Sequence, residues 1–412
     1  MSWEISDVEH RRMDFVLIAR EPEVSMSEAC RQFQVSRKTG YKWLRRYEEY
    51  GLSGLTDGSR RPKSSPLQVS GSVVLELINL RIKHKSWGPK KLQARLARTS
   101  SDPNEVPSVA TIGRILRRSG QSEARGRGRP HRCPPTGPLS KAQGPNDVWT
   151  VDFKGWWRTR DGRRCEPLSI RDLYSRYILC LRPVLRRHTD DVRPVFEEVF
   201  ERYGLPNIIR SDNGGPFASL TGPHGLTQLS AWWRSIGIKL ERIDPGHPEQ
   251  NGGHERMHKD LAKEIQEQPG ATVAEEAQRL EHWRVEFNLA RPHEALAMKL
   301  PGEVYHRSSR SLRDARPYVY PLDLVRRHVR RDGCILINGQ SVYLSQALGK
   351  LDVGLERLSA TGWRVWFCDL TVSEIYLDGD RVLRRTPASE AEPATQDCNP
   401  CPDNKVLPMC RP

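Results

Sequence analysis

The chain has 412 residues, 37% of them hydrophobic, and a formal net charge of +15 from 66 Lys and Arg against 51 Asp and Glu. That length accommodates about two to four domains, and the apolar content excludes a wholly disordered chain. The nine cysteines are scattered and odd in number and do not suggest a disulfide framework, no apolar run reaches membrane-spanning length, and the start is acidic and mixed rather than like a signal peptide, so a reducing, soluble compartment is expected.

Residues 1–140 carry 26 Lys and Arg against 14 Asp and Glu, an excess of 26 − 14 = 12, which concentrates most of the positive charge in the first third. Such a region is an electrostatic footprint for nucleic acid, because each phosphate it neutralises releases counterions. Val8, Phe15, Val16 and Ala19 recur at helical spacing. Ser27 is placed to cap a short helix to Phe33, and Ser36 to cap a second one through Arg37, Lys38, Lys42, Arg45 and Arg46, ended by Gly51 and Gly54. Two helices joined by a short turn, the second rich in cations, make a helix-turn-helix domain over 1–58.

After a Ser/Pro/Gly-rich stretch, 68–122 reads as a second such domain. Val73, Val74, Leu77, Ile78 and Ile82 make an apolar face, and Gly88-Pro89 opens a further helix. Ser108 to Arg118, with Arg114, Arg117 and Arg118, matches Ser36 to Arg46 in the pattern Ser-x-x-Thr-x-x-(Lys/Arg)-(Trp/Ile)-Leu-Arg-Arg. Residues 123–147 form a basic Gly/Pro/Arg linker.

From 148 to 310 strands alternate with helices, the mark of an α/β domain. Strands are expected at Val148 to Phe153, Cys165 to Asp172, Tyr177 to Pro183, Asn207 to Ser211 and Ile238 to Ile243. Helices are expected at Thr189 to Tyr203, Leu226 to Ile236, from Glu249 onward, and over 271–290. Strand-like runs then recur over 316–386, with Asn338-Gly339 as a hairpin turn, and predict a small β-barrel. The remainder, 387–412, reads as a disordered tail; Cys398, Cys401 and Cys410 have no nearby His to complete a convincing zinc site.

Three acidic residues stand out. Asp152 lies mid-strand in Trp149-Thr150-Val151-Asp152-Phe153. Asp212 follows a strand end in Ser211-Asp212-Asn213-Gly214-Gly215-Pro216-Phe217. Glu255 lies on a helix in His247-Pro248-Glu249-Gln250-Asn251-Gly252-Gly253-His254-Glu255-Arg256-Met257-His258-Lys259. Singly these are ordinary: a strand Asp is usually an edge or turn residue, Asp-Asn-Gly a turn, and Glu255 with Lys259 a surface ion pair. In this order and setting they fit one site for hard cations, Mg2+ or Mn2+, which take oxygen ligands. Two such ions roughly 3.5–4 Å apart suit in-line displacement at a phosphodiester.

These stretches resemble the catalytic core of the retroviral integrase superfamily and, within it, bacterial insertion-sequence transposases of the DDE type; the resemblance runs over about residues 10–305. It implies an RNase H-like core, with Asp152, Asp212 and Glu255 as the catalytic ligands of two Mg2+ (or Mn2+) ions. Asn251 and Lys259 match positions that approach substrate DNA, and Asn288 to Leu296 resembles the closing motif of the core. The implied partners are double-stranded DNA, as transposon ends and as target, and further copies of the chain in a dimer or larger assembly, with no membrane. The implied setting is the cytoplasm of a bacterial host, on the nucleoid. Two features depart from the pattern. The Asp212–Glu255 gap, 255 − 212 = 43 positions, is long, and Thr221 to Thr227 reads as an inserted loop, whose added length costs little entropy. Glu249 competes with Glu255 as third ligand, and the Gly252-Gly253-His254-Glu255 context favours Glu255. The zinc module that begins retroviral integrases is absent. The implied activity is Mg-dependent 3′-end cleavage at terminal inverted repeats followed by strand transfer into target DNA. The alternatives are a nuclease of the same fold that only hydrolyses, and a DNA-binding regulator on a retired core.

Overall fold

A computed structural model of the chain describes residues 5–58, 68–122, 139–244, 247–378 and 381–385. The expected basic linker up to residue 138, the expected tail and its Cys398, Cys401 and Cys410 lie outside the described residues. The chain divides into two compact units, Met1–Gln68 and Val69–Pro412.

In the first unit α1 (Ile5–Ala19), α2 (Met26–Gln32) and α3 (Arg37–Tyr50) pack around Phe15, Val16, Ala29, Cys30, Trp43 and Leu55. Val8, expected on the apolar face of α1, is exposed. Ser25, two residues before the expected Ser27, caps α2 by accepting from Glu28 N–H at 3.3 Å. Ser36 caps α3 by accepting from Thr39 N–H at 3.2 Å. Between them Gln34 takes φ 55°, the left-handed geometry of a tight helix–helix turn. The helices cross at Gly40, where a Cβ would lie 2.6 Å from Cys30 Sγ, so only glycine permits this approach.

The second unit begins with α4 (Gly71–Lys83), α5 (Pro89–Thr99) and α6 (Val109–Arg118), closed over Leu77, Trp87, Leu92, Leu96, Ile112 and Leu116. Ser108 caps α6 by accepting from Thr111 N–H at 3.2 Å, the same geometry as Ser36 with Thr39, so the internal repeat is in part a repeated capping motif. Ile82, expected on the apolar face of α4, is exposed; Val73, Leu77 and Leu80 form that face instead.

The α/β core is a mixed five-stranded sheet in the order β5-β4-β1-β6-β7. Its strands are β1 (Val148–Phe153), β4 (Pro167–Asp172), β5 (Ile178–Pro183), β6 (Ile208–Ser211) and β7 (Lys239–Arg242). The expected strand from Cys165 is interrupted at Glu166; Cys165 belongs to a short hairpin of β2 (Trp157–Arg158) and β3 (Arg164–Cys165). The β1–β4 and β4–β5 pairs are antiparallel, and the β1–β6 and β6–β7 pairs parallel. Helices α7 (Thr189–Tyr203) and α8 (Gln228–Ser235) cover one face over Trp149, Val151, Leu168, Ile170, Phe196 and Trp233. The other face receives α9 (Gly252–Leu261), a π-helical turn at Ala262–Gln266, and α10 (Val273–Ala290), through Met257, Leu261, Leu280, Trp283 and Phe287. The expected helix from Glu249 is a 3-10 turn up to Asn251, and the α-helix starts at Gly252. A one-turn helix, α11 (Pro301–Val304), follows.

The expected barrel is an open sheet. β8 (Val325–His328), β11 (Asp352–Arg357), β12 (Gly362–Phe367), β13 (Leu370–Asp378) and β14 (Arg381–Arg385) pair antiparallel in the order β14-β13-β12-β11-β8. β9 (Cys334–Ile337) and β10 (Gln340–Tyr343) form a separate hairpin, turned by Asn338 and Gly339 at φ 50° and 83°. Among the described residues no pairing joins β8 to β14, so the edges stay apart and the core is closed by packing the hairpin on the sheet. The inserted loop has a task here. Leu226 at its end is buried in the core of this sheet with Ala231 of α8, and His224 Nε2 lies 2.7 Å from the Thr371 carbonyl oxygen. Among the described residues no helix is long and apolar enough to cross a membrane.

Candidate active site

Strand alternation decides which groups meet. In β1, Trp149, Val151 and Phe153 enter the α7–α8 core, which turns Thr150 and Asp152 to the opposite face. In β4, Leu168 and Ile170 do the same, which turns Ser169 and Arg171 toward α9. Asp152 pairs in register with Ser169, so a polar patch is built into the face of the sheet that α9 covers. Asp212 follows the last residue of β6, the strand parallel to β1; its Oδ1 accepts from Gly214 N–H at 3.2 Å. Glu255 stands in the first turn of α9, where the helix dipole favours a carboxylate.

Asp152 feels both of the other carboxyl groups. Burial, then Asp212, and more weakly Glu255, push the Asp152 carboxyl up from 3.8 to about 7. His258, one turn after Glu255 on α9, lies over the same patch: its Nδ1 is 3.8 Å from Asp152 Oδ2 and its Nε2 is 3.1 Å from Ser169 Oγ. Ser169 Oγ donates its proton to the Asp152 carbonyl at 2.9 Å, so in the His258 contact Nε2–H is the donor. Burial, reinforced by Lys154 and Arg171, lowers His258 to about 3 and keeps it neutral. Its Nδ1 therefore presents a lone pair toward Asp152.

That gap is the test of fit for a cation. Across it stand an Asp152 carboxyl oxygen, which suits Mg2+ or Mn2+, and one imidazole lone pair. The coordination shell is not closed: among the described residues no group of three or more His, Cys, Asp or Glu side chains could hold a metal ion as arranged. Asp212 and Glu255 thus influence Asp152 without the three forming a closed shell.

Residues 142–248 and 236–301 each match a family described as an integrase core domain, and 7–56 and 39–116 each match a homeodomain-like domain. The insertion element IS407 uncharacterized 31.7 kDa protein of Burkholderia multivorans is 25% identical over 256 residues, covering 61% of this chain and 87% of that protein. The chain thus carries an integrase core domain and is similar to an insertion-element protein. With its homeodomain-like modules, the integrase core makes it a protein of DNA transposition and integration. Similar solved structures include the HTLV-2 integrase catalytic core domain in complex with magnesium, 14% identical over 40% of this chain and 100% of that one, TM-score 0.30. Another is the simian T-cell lymphotropic virus intasome in complex with PP2A regulatory subunit B56 gamma, 14% identical over 76% and 100%, TM-score 0.37.

The expected DNA-contacting residues divide by placement. In the first unit Arg37, Lys38, Lys42 and Arg45 are exposed on α3, with Arg45 3.8 Å from Glu49. Arg46 is committed within its own unit, donating to the Thr56 carbonyl at 2.9 Å with its guanidinium 4.9 Å from the Trp43 ring centroid. In the second unit Arg114, Arg117 and Arg118 are exposed on α6, and Lys259 is exposed on α9. Asn251 is buried, its Oδ1 3.1 Å from His254 Nδ1, so it orders the start of α9. Sequence reading missed the roles of Ser169, Arg171 and His254 in the integrase core, and it read His258 as a residue able to reach a phosphate, whereas His258 is buried and bonded to Ser169. Arg171 is buried against α9, where a Cβ on Gly253 would lie 2.6 Å from its Nη1, and its Nε has no partner among the described residues. The period-two polar residues Ser169 and Arg171 within an apolar strand were the available signal.

Proposed function

We propose that this integrase core cuts DNA at the ends of its own element and joins those ends to target DNA, with Asp152, Asp212 and Glu255 holding divalent cations. The reading is supported by one observation: Asp152, on the polar face of the sheet and 3.8 Å from His258 Nδ1, has its carboxyl raised by burial, by Asp212 and more weakly by Glu255, side chains from two distant segments. Cations bound there would supply Lewis-acid charge to the attacking and departing oxygens of a phosphodiester. The chain's own residues do the rest. Ser169 fixes the backbone at Asp152 and orients His258, whose lone pair reinforces the negative field. The turn closed by Gly214 N–H holds Asp212 at the strand end. In the first step water attacks the phosphodiester, a P–O bond forms, the bond to the 3′ oxygen breaks and a 3′-hydroxyl is released. In the second step that hydroxyl attacks a target phosphodiester and a target 3′ oxygen departs. Positioning makes both attacks effectively intramolecular, without a covalent protein–DNA intermediate. Joining two ends at once calls for a dimer or larger assembly on double-stranded DNA, with α3 and α6 on the terminal repeats.

The test is incubation of the purified full chain with duplexes carrying the element's own ends and Mg2+, followed by mapping of nicks and joined products. Asp152→Asn, Asp212→Asn and Glu255→Gln are each expected to lose both steps. Nicking that persists in Asp152→Asn overturns the assignment, and hydrolysis of pre-cleaved ends without joining overturns strand transfer.

A further inference from the structure

The turn that follows Asp212, Asn213-Gly214-Gly215, is exposed, and its two glycines leave the backbone little constrained by itself. What fixes it lies on its far side, where Pro216, Phe217 and Ala218 are buried. The Gly214 carbonyl accepts from Phe217 N–H at 3.0 Å and from Ala218 N–H at 3.1 Å. The Phe217 ring lies 5.4 Å from that of Phe153, the neighbour of Asp152, and 6.1 Å from that of Trp233 on α8. The Pro216 carbonyl accepts the Thr227 hydroxyl at 2.7 Å. Thr227 is also the N-cap of α8, its Oγ1 accepting from Ser230 N–H at 3.1 Å. Its single hydroxyl proton thus serves the Asp212 segment while a lone pair serves the helix.

On its other side Thr227 is tied to the carboxyl-terminal sheet. Leu226, the residue before it, is buried in the core of that sheet. Around it His224 Nε2 lies 2.7 Å from the Thr371 carbonyl oxygen, and Gln228 Nε2 donates to the Gln346 carbonyl at 3.2 Å. Arg234 of α8 meets Asp369 Oδ1 through Nε at 3.0 Å and Nη2 at 2.5 Å. The inserted loop is drawn tight between these anchors. A Cβ at Gly222 would lie 2.0 Å from the Leu226 carbonyl oxygen, and Arg242 of β7 donates to the Gly225 carbonyl at 2.7 Å.

We propose that Thr227 is a positioning residue through which the carboxyl-terminal sheet holds Asp212 in place. This rests on the reading of Asp212 as a metal ligand and gives the inserted loop and the sheet a part in the active site. Docking of the sheet uses Leu226, His224 and Arg234 and has no need of the Thr227 hydroxyl, whose proton is directed at Pro216 instead. The hold passes from the sheet to Leu226, from Thr227 to the Pro216 carbonyl, and through the Gly214 carbonyl to the turn whose amide bonds Asp212 Oδ1.

The experiment follows amide exchange of the full chain without metal, together with its thermal stabilisation by Mg2+. Three substitutions separate the two jobs of the side chain. Thr227→Ser keeps both the cap and the proton, Thr227→Asp keeps a cap acceptor but as a carboxylate has no proton for Pro216, and Thr227→Val has neither. Exchange at the buried Phe217 and Ala218 amides is expected to rise about fivefold in Thr227→Asp and Thr227→Val and to stay at the wild-type rate in Thr227→Ser. Leu226→Ala, which unseats the loop from the sheet, should speed the same amides. It should also raise the Mg2+ concentration that gives half the thermal stabilisation by about fivefold. If Thr227→Asp leaves the Phe217 and Ala218 amides at the wild-type rate, the hydroxyl only caps α8 and the proposal is wrong. It is equally wrong if Leu226→Ala speeds exchange in β11 to β13 and not at Phe217 and Ala218. If the amides respond as expected but Mg2+ does not stabilise the wild type, the hold on the segment stands and the metal-ligand reading of Asp212 fails.

Discussion

Removing the Asp152 charge should make the metal-free protein more stable, not less. The carboxyl is raised from 3.8 to about 7, first by burial and then by Asp212. Below the unfolded value both states hold the proton and the strain is absent. Between the two values the native state keeps a proton that the unfolded chain releases, so stability falls as pH rises, and above about 7 the full cost is present. Roughly three pH units at about 1.4 kcal/mol each bound that cost near 4 kcal/mol. The side chain is 25% exposed, and solvent screening reduces the expectation to about 2 kcal/mol. Asparagine deletes the charge and offers an amide N–H to the His258 Nδ1 lone pair. Thermal unfolding followed without metal should place Asp152→Asn several degrees above the wild type at about pH 8, with the gap closing toward about pH 4. Mg2+ should raise the wild type and leave the variant unmoved. A variant no more stable at the higher pH, or a gap indifferent to pH, would refute the electrostatic account of the site.

Two further outcomes test how the second unit is held together. Leu226→Ala removes the inserted loop's anchor from the core of the carboxyl-terminal sheet. It should cost about 2–5 kcal/mol there, read as faster amide exchange in β11 to β13 with β1 and β6 still protected; unchanged exchange would show that the loop is not an anchor. Arg291→Ala leaves Asp260 with only Arg256 at 3.7 Å and Glu264 with only its Ser86 and Trp283 hydrogen bonds, and should cost about 3 kcal/mol by urea unfolding. Adding Asp260→Asn should restore part of that loss, whereas an additive cycle would mean that the pair is uncoupled.

The parts of this fold legible from the chain are those specified by neighbours in sequence. α7 runs from Thr189 to Tyr203 as expected, because its apolar residues repeat at helical spacing. The turn at Asn338-Gly339 formed because those two residues tolerate positive φ. Ser36 and Ser108 cap their helices because the hydroxyl and the amide it serves are three residues apart. The error at Ser27 shows the limit, since Ser25 and Ser27 are equally good caps and packing chose between them. β8 and β14 were not expected: β8 is Arg-rich and exposed at the sheet edge, so it carries no alternating pattern.

The proposed donor set, three carboxylates in recognisable settings, was read from the sequence because residue type and local context fix what a side chain can bind. Sequence alone also determined the tandem capped helices and the strand–helix alternation, all consequences of contacts within a few residues. Tertiary structure alone decided the company each carboxylate keeps. The register of β1 on β4 sets Asp152 beside Ser169, and the rotation of α9 about its axis swings His258 over both while burying Asn251. It also decided that the last sheet stays open and that the inserted loop pins it to the core. Register, helix rotation and closure are settled by packing between segments far apart in the chain, where no local pattern carries the information.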